Sequence, residues 1–431
     1  MNMGYHTTGT HCLNLSGSHA LEQTKRDAGI SPTRSLLTWV PKTNSMFSKT
    51  IFFFMLKTLL IHDASSFSSR KNAPPPIIAC SSTTEVHRAI SLYIKPQDFV
   101  LELGAQLSDT STHLCRTIGS DGRAVLVDVK RKDATSGRCS NRNTAPFIAS
   151  NEDGESSNEE SFLDRVQYEE LEQFDHWRSL TKGKSYQAMV LDVGSMIGND
   201  LYLSALSLAG EFIANQENPP RVIIVKSKTL SNLARRIVHS QRLLDGSTIL
   251  PDILERTHNP IVVPCVGVNE YRRTIPFLVN GGDDVIEVGC HFGRTTTLLH
   301  DAVIKEEGGA DGEQGQGFCA GVDIGPKIIA NAKKQYPEIN FEVVDAWNTL
   351  DLLKVKAEHC AVGTSMLGYD VVYADIGGLS GAYGLLESLA LLDAIAKALE
   401  PRSIVIKSLC MNRLASQLVA FSHVWNKIET K

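Results

Sequence analysis

Short apolar runs alternate with amphipathic stretches over most of the chain. In the C-terminal part, the apolar runs are rich in β-branched residues and occupy positions 284–289, 318–323, 341–345, 369–375 and 403–407. Segments with helical spacing of apolar residues lie between them, at about 294–305, 326–335 and 382–399. Buried parallel strands are typically short and continuously apolar, and the helices that cover them have one apolar face. The pattern therefore predicts an α/β fold of doubly wound, mainly parallel sheets.

The same pattern occurs twice along the chain. The segment that starts at Ile77, IIACSSTTEVHRAISLYIKPQDFVLELGA, aligns without a gap to the segment that starts at Val262, VVPCVGVNEYRRTIPFLVNGGDDVIEVGC. Five identical pairs keep one constant offset: Cys80 and Cys265, Glu85 and Glu270, Arg88 and Arg273, Glu102 and Glu287, and Gly104 and Gly289. Such internal similarity is the signature of a repeated unit. We therefore predict two tandem domains, 75–259 and 260–431, that pack on each other.

The two copies differ where loops are expected. The first copy contains a stretch at 134–160 that is rich in Ser, Asn, Asp and Glu, where the second copy has a helical pattern. A polar, acidic segment with few apolar residues is typical of a solvated loop. The second copy contains a glycine-rich insertion, Gly308–Gly317.

Residues 1–74 precede the repeated pattern and are predicted to be a disordered or targeting segment. An apolar run, Ile51–Ile61, contains Lys57 and is too short to span a bilayer. The stretch from Met46 to about Ser66 has a basic start, an apolar centre and small residues near Phe67. It resembles the plastid-targeting presequences of algae with secondary plastids. If it is one, the protein is a plastid protein; otherwise we expect a cytoplasmic one.

Composition and charge narrow the function classes. Hydrophobic residues make up 42% and charged residues 21% of the 431, which is ordinary for a globular protein. The nine cysteines include no Cys-x-x-Cys pair, so neither a structural zinc site nor a redox dithiol is predicted, and no metal site is expected. The net charge of −5 gives no global attraction to phosphate backbones. Nucleic acid is therefore an unlikely partner unless a local basic patch exists.

Candidate chemistry follows the strands of the second copy, because ligands of open parallel sheets bind beyond the carboxyl ends of the strands. The first of these strands ends at Glu287 and runs into a turn with Gly289, His291 and Gly293. Glycine permits a tight turn and a close approach of backbone to a ligand. The next strands end at Asp323, at Asp345 followed by Ala346, and at Asp375. A carboxylate in such a place can accept hydrogen bonds from both hydroxyls of a ribose.

This set of residues resembles the class I S-adenosylmethionine-dependent methyltransferases, over nearly all of each copy. The resemblance implies a Rossmann-like fold and S-adenosyl-L-methionine as cofactor. It also implies roles at the strand ends. The loop of Glu287, Gly289, His291 and Gly293 would hold the amino-acid part, and Asp323 would hold the ribose. Asp345 with Ala346 would lie by the adenine amine, and Asp375 would face the transferred methyl group.

A dinucleotide site is the alternative reading of a glycine-rich turn. Its fingerprint is Gly-x-Gly-x-x-Gly with an acid about 20 residues further on. Here Gly289 and Gly293 form Gly-x-x-x-Gly, an acid precedes them, and Asp323 lies further away than the fingerprint requires. The spacing fits the methyltransferase pattern better.

The first copy has lost part of this pattern. Ser108 stands where Gly293 stands and Leu107 replaces Phe292, whereas Asp128 and Asp192 persist. A Cβ at that helix start would press on a bound cofactor. We predict a degenerate domain that is kept for packing against the second or for holding substrate.

Asp375 and Lys407 are the candidate catalytic residues, because they close adjacent strands. An Asp and a Lys in these places resemble the RNA 2′-O-methyltransferases, which use a Lys-Asp-Lys-Glu set. Arg273 stands where that family has its other Lys, and arginine stays charged and cannot act as a base. Lys226 occupies the place of Lys407 in the first copy, which favours a structural role for both.

Three functions stay open at this point. The first is a methyltransferase that binds its cofactor in the second copy and acts on an unknown acceptor. The second is a non-catalytic binding or scaffold protein with a methyltransferase-like fold. The third, less favoured by the acidic net charge, is an enzyme similar to the RNA 2′-O-methyltransferases.

Overall fold

The computed structural model describes residues 74–105, 109–129, 165–171, 183–192, 194, 202–214, 218–248, 250, 255–304, 317–359, 368–379 and 384–429. All of them belong to one compact unit. The predicted targeting segment from Met46 to about Ser66 and the predicted acidic loop at 134–160 lie outside the described residues. No helix in the described ranges is long and apolar enough to cross a membrane.

The described residues form two sheets. The strands, in chain order, are β1 Ile77–Cys80, β2 Phe99–Leu103, β3 Arg123–Val129, β4 Val166–Leu171, β5 Ala188–Leu191, β6 Val222–Lys226, β7 Ile261–Cys265, β8 Asp284–Val288, β9 Phe318–Asp323, β10 Asn340–Val343, β11 Val371–Ala374, β12 Ser403–Lys407 and β13 Leu418–Ala420. The N-terminal sheet has the order β13-β1-β6-β5-β2-β3-β4, and the C-terminal sheet has the order β10-β9-β8-β11-β12-β7. Every pairing among these strands is parallel.

Helices connect the strands. They are α1 Thr83–Tyr93, α2 Asp109–Ile118, α3 Tyr202–Ala214, α4 Lys228–Arg236, α5 Ser240–Leu244, α6 Val268–Arg273, α7 Ile275–Leu278, α8 Arg294–Val303, α9 Pro326–Gln335, α10 Thr349–His359, α11 Gly384–Leu399, α12 Leu409–Gln417 and α13 Phe421–Glu429. Serine caps start several of them: the side chains of Ser82, Ser227 and Ser408 each accept a hydrogen bond from the backbone N–H three residues on. Such caps satisfy donors that a helix start leaves without partners.

The strand order reverses at the centre of each sheet. In the C-terminal sheet the chain runs outwards from β8 to β9 and β10, then returns to the other side of β8 for β11 and β12. This is the doubly wound, Rossmann-like arrangement, so the predicted fold class is confirmed. The five predicted apolar runs are strands and the three predicted helical segments are helices. The helix α10 was absent from the sequence prediction.

The ends of the two halves cross over. β13, near the C-terminus, pairs with β1 in the N-terminal sheet, with Leu418 opposite Ile77. In the same way Ile237, directly after α4, forms a parallel bridge with Val262 of β7 in the C-terminal sheet, where Val238 N donates to Val262 O at 2.9 Å. The helices that follow cross as well: α13 contacts β1 and α1, and α5 contacts β7 and α6. Each half therefore completes the other half's sheet.

The apolar core is likewise shared between the two halves. The largest cluster of buried apolar side chains contains residues of both sheets, among them Tyr186 of the first half and Ile286 of the second. Phe421 of α13 is buried in a cluster made otherwise of residues from the N-terminal sheet and its helices. The predicted boundary between domains, at about residues 259 and 260, stays a prediction. The contacts show that apolar side chains of both halves are buried together, so neither segment forms its core alone.

Candidate functional site

The carboxyl ends of β8, β9, β11 and β12 meet at one edge of the C-terminal sheet. Backbone hydrogen bonds hold the loops there in register: Gly289 N donates to Val322 O at 2.8 Å, and Asp375 N donates to Val288 O at 2.9 Å. The edge lies at the point where strand order reverses, between β8 and β11. This is the place where open α/β sheets bind ligands.

Two glycines shape the turn after β8. Gly289 has φ of 82°, and a Cβ on it would lie 2.2 Å from the carbonyl oxygen of Asp375. Gly293 also has φ of 82°, and its Cβ would meet the ring of Phe341 at 2.5 Å. No other residue type fits either place without displacing a neighbour, because positive φ is strained for side chains with a Cβ. The turn that the sequence predicts is therefore present.

His291 and Asp323 lie together. His291 has φ of 51°, which is unusual for a residue with a side chain. Its N–H donates to Asp323 Oδ2 at 3.2 Å, and Gly325 N donates to Asp323 Oδ1 at 2.9 Å. These bonds fix the carboxylate of Asp323 beside the glycine turn.

Glu287 is buried behind the turn rather than open to solvent. Its Oε2 accepts a hydrogen bond from Thr296 Oγ1 at 2.5 Å. Burial raises the pKa of Glu287 to about 8, the Thr296 bond and the charge of Arg272 oppose the rise, and the charge of Asp375 adds to it. The carboxyl is therefore protonated in most molecules at neutral pH, and it is bonded to the helix that follows the turn.

The remaining predicted residues occupy the rest of the edge. Asp345 is exposed and accepts a bond from Trp347 N at 3.0 Å, within its own turn. Ala346 is partly buried against the core. The structure thus brings Asp323 together with His291, and Gly289 with Asp375, whereas Asp345 has contacts in its own turn.

Asp375 and Lys407 form an ion pair, between Oδ1 and Nζ. Both side chains are partly exposed. The two residues close adjacent strands and are in contact, and their catalytic role stays a prediction. A partly exposed Asp–Lys pair contributes little to the stability of a fold. Stability alone therefore does not account for the pair, and a role in binding is compatible with it.

Sequence reasoning missed two groups at this edge. Arg272, and not the adjacent and exposed Arg273, faces the site: its Nε donates to Thr295 Oγ1 at 3.0 Å. Large apolar side chains also lie open here, with Ile324 69% and Trp347 49% exposed. The available signal was their position in the chain, because Ile324 follows Asp323 directly and Trp347 is the second residue after Asp345.

The N-terminal sheet repeats the backbone arrangement of this edge, which we call the frame: a glycine turn after the central strand and an Asp–Lys pair at the ends of the adjacent strands. Gly104 has φ of 87° and donates to Val127 O at 2.8 Å, and Asp192 N donates to Leu103 O at 2.9 Å. Lys226 Nζ pairs with Asp192 Oδ2 at 2.8 Å. Asp128 follows Val127 in β3, as Asp323 follows Val322 in β9, although β3 continues one residue further to Val129. Leu107 and Ser108, on which the predicted loss of function rests, lie outside the described residues.

One buried carboxyl differs between the sheets. Glu102, the counterpart of Glu287, is buried with a pKa that burial raises to about 8, and its Oε2 has no hydrogen-bond partner among the described residues. Glu287 lies opposite Gly321 and Glu102 lies opposite Leu126. Each carboxyl has a hydroxyl beside it in the following helix, Thr296 for Glu287 and Ser111 for Glu102.

Comparisons with known proteins give partial structural likeness only. No protein-family model matches the chain, and no curated protein does. Three solved structures are similar in part. Fibrillarin of Aeropyrum pernix, in complex with S-adenosyl-L-methionine, is 21% identical over 23% of this chain and 36% of its own, with a TM-score of 0.16. The sugar N-methyltransferase KedS8 of Streptoalloteichus is 17% identical over 32% of this chain and 45% of its own, with a TM-score of 0.20.

The third structure is an S-adenosylmethionine-dependent methyltransferase of Thiobacillus denitrificans in complex with S-adenosyl-L-homocysteine. It is 18% identical over 44% of this chain and 68% of its own, with a TM-score of 0.20. The chain thus spans about a third of the length of the fibrillarin that it matches. Likeness at these scores carries no information about the site.

Proposed function

We propose that the protein is an S-adenosylmethionine-dependent methyltransferase with its cofactor at the carboxyl edge of the C-terminal sheet. The observation that carries the proposal is the junction of the Gly289 turn with Asp323. Strand pairing, the His291 N–H and the Gly325 N–H together fix a carboxylate next to a turn that has no side chain in the way. Such a carboxylate can bind the two hydroxyls of a ribose.

The surrounding residues fit an adenosyl group. Ile324 and Trp347, close in the chain to Asp323 and Asp345, are exposed and offer apolar surface on which a flat purine could stack. Gly289 and Gly293 let backbone approach the amino-acid part of the cofactor. Glu287 holds the turn from behind, through Thr296.

When bound, S-adenosylmethionine supplies a methyl group on a sulfonium sulfur. The residues of the chain contribute position, since an in-line displacement depends mainly on alignment of the two reactants. Asp375 would hold the acceptor side of the edge through the carboxylate oxygen that Lys407 does not contact. The contact with Asp375 occupies Lys407 Nζ, so a role as general base requires that the pair first opens.

The N-terminal sheet is proposed to be a second, degenerate copy of the same domain. The shared strand order, the Asp192–Lys226 pair and the crossed ends support a duplication. Its function would be to complete the C-terminal sheet and the common core rather than to bind cofactor.

Calorimetric titration of the full chain with S-adenosylmethionine tests the proposal. We expect binding to the unchanged protein and loss of binding in Asp323→Ala, with Asp128→Ala, the matched change in the N-terminal sheet, binding as the unchanged protein does. Absence of binding, or equal loss in both variants, would reject the proposal.

A non-catalytic scaffold is the second candidate, and one observation favours it. Lys226 and Asp192 form the same pair in the sheet that is proposed to be inactive, so the pair does not require catalysis. Incubation of fractionated cell extract with radiolabelled S-adenosylmethionine separates the two functions. Label transferred to protein, RNA or small molecules in proportion to added enzyme supports the methyltransferase and reveals the acceptor class.

A further inference from the structure

Arg272 carries a charge that no described residue neutralises by contact. It is the fifth residue of α6, which contacts β7 and β12, and its side chain is half-buried. Its Nε donates to Thr295 Oγ1 at 3.0 Å. Within the described part of the chain its two terminal nitrogens have no hydrogen-bond partner, and no carboxylate lies within ion-pair distance. A partly buried guanidinium without a counter-ion is unfavourable unless an anion arrives.

The acids near Arg272 do not serve as that anion. Glu270 accepts bonds from Ser240, Gln241 and the backbone N–H of Val266, so its oxygens are occupied. Glu287 is bonded to Thr296 and is mostly protonated at neutral pH because of its burial. A ligand carboxylate would therefore meet Arg272 with little repulsion from either side chain.

A second group at the same place lacks a partner. The hydroxyl of Tyr271 is completely buried, faces Glu287 and Asp375, and has no hydrogen-bond partner among the described residues. Buried polar atoms of this kind are rare in folded proteins and often mark a place where a ligand or ordered water completes the network. The counterparts of Tyr271 and Arg272 in the N-terminal sheet are Val86 and His87, so the sheet that is proposed to be degenerate has neither group.

We propose that Arg272 forms a carboxylate-binding subsite that holds the carboxylate of the cofactor's amino-acid part. The guanidinium would bind through its terminal nitrogens, in the two-pronged manner that arginine offers to carboxylates. Thr295, two residues after Gly293, holds the side chain at Nε and so keeps the guanidinium beside the glycine turn. This inference rests on the proposed function and adds to it the residue that selects ligands with a carboxylate.

The test compares two ligands that differ by the amino-acid part. S-adenosyl-L-homocysteine contains the carboxylate, and 5′-methylthioadenosine has the same nucleoside and thioether without it. Calorimetric titration of the full chain is expected to show that Arg272→Gln weakens binding of S-adenosyl-L-homocysteine about tenfold or more, which is the loss of one charge-assisted contact. Binding of 5′-methylthioadenosine should stay within about twofold of the unchanged protein.

Arg273→Gln is the matched control, because the adjacent side chain is exposed and points elsewhere; it should alter neither affinity. Arg272→Lys retains the charge and should give an intermediate loss for S-adenosyl-L-homocysteine alone, which also serves if the Gln variant is unstable. Equal losses for both ligands, or no loss for either, would overturn the inference and leave the proposed function standing. If the unchanged protein binds neither ligand, both proposals are wrong.

Discussion

The two sheets share the backbone frame of a ligand site and differ in the side chains that face it. In each, a glycine with positive φ follows the central strand and an Asp–Lys pair closes the adjacent strands. Among the described residues, only the C-terminal sheet has beside that frame an arginine, Arg272, with no carboxylate in ion-pair contact, and His87 stands at the aligned position of the first half. The frame is maintained by packing in both halves, so the frame alone is a poor indicator of activity. The groups around it discriminate better.

The loop beside each Asp–Lys pair differs as well. After β7 the chain presents Val266 and Val268 to solvent, next to Lys407. At the aligned positions the first half has Ser81 and Thr83. The two loops therefore differ in polarity, with apolar side chains in the C-terminal half and hydroxyl side chains in the N-terminal half.

The crossed ends of the two halves give the largest expected effect. Phe421 belongs to the C-terminal segment, yet it is only 1% exposed and packs in the core of the N-terminal sheet. Phe421→Ala should lower the free energy of unfolding by about 3–5 kcal/mol. In hydrogen exchange followed by mass spectrometry, protection should be lost in β1 before β7. Ile428→Ala, on the exposed side of the same helix, should change stability by less than about 0.5 kcal/mol. Loss of protection confined to β7 would contradict the crossing of the two ends.

The glycine turns come next. Gly289→Ala forces a Cβ against the Asp375 carbonyl at positive φ and should destabilise by about 2–5 kcal/mol and abolish cofactor binding. Gly104→Ala, in the same turn of the other sheet, should destabilise without changing the affinity for cofactor. Gly377→Ala is the control, because its Cβ meets nothing within 4 Å. Calorimetric titration with thermal unfolding measures both quantities, and a loss of affinity in Gly104→Ala would argue against one active sheet.

The buried carboxyls make stability depend on pH. Burial raises the pKa of Glu102 and of Glu287 from the ordinary 4.5 to about 8, so the folded protein binds more protons than the unfolded one between these values. Stability should therefore fall as pH rises from about 5 to 8, by up to about 1.4 kcal/mol per pH unit for each carboxyl. Glu102→Gln and Glu287→Gln should each flatten the curve of unfolding free energy against pH. Curves that keep the original slope in both variants would show that neither group is protonated in the fold.

The Asp–Lys pairs give the smallest expected change in stability. Lys226→Met and Lys407→Met should each lower the unfolding free energy by at most about 1 kcal/mol, because both pairs are partly exposed. The two variants should separate in radiolabelled methyl transfer, which only Lys407→Met should reduce. Equal reduction by Lys226→Met would mean that the pair acts through the fold in both sheets.

Much of the fold could be predicted from sequence because its signals are local. Alternating apolar runs mark the strands, and the repeated spacing around Glu102 and Glu287 marks the two halves. The pairing of β13 with β1 could not be predicted, because Leu418–Ala420 is three residues long, follows a helix directly and pairs with a strand at the other end of the described chain. Short strands carry little periodicity, and their partners are set by tertiary packing.

Sequence reasoning named the acids and glycines of the candidate site, whose roles stay predictions, and did not name Arg272. Arg272 and Arg273 are neighbours in sequence, and the phase of a six-residue helix decides which one faces the sheet. Sequence identity between the halves favoured Arg273, which matches Arg88. In the first half, however, His87 lies near Thr110 as Arg272 lies near Thr295, at 3.1 Å and 3.0 Å. The geometry is retained at a position where the residue type is not.

The central claim is that one sheet of the two holds the cofactor. Ultraviolet cross-linking of the full chain with S-adenosylmethionine labelled in the methyl group, followed by peptide mapping, tests it without any substitution. The account predicts label within residues 284–359, where the glycine turn, Asp323 and Trp347 lie. Label in the N-terminal sheet alone, or labelling no stronger than that of the heat-denatured chain, would contradict it.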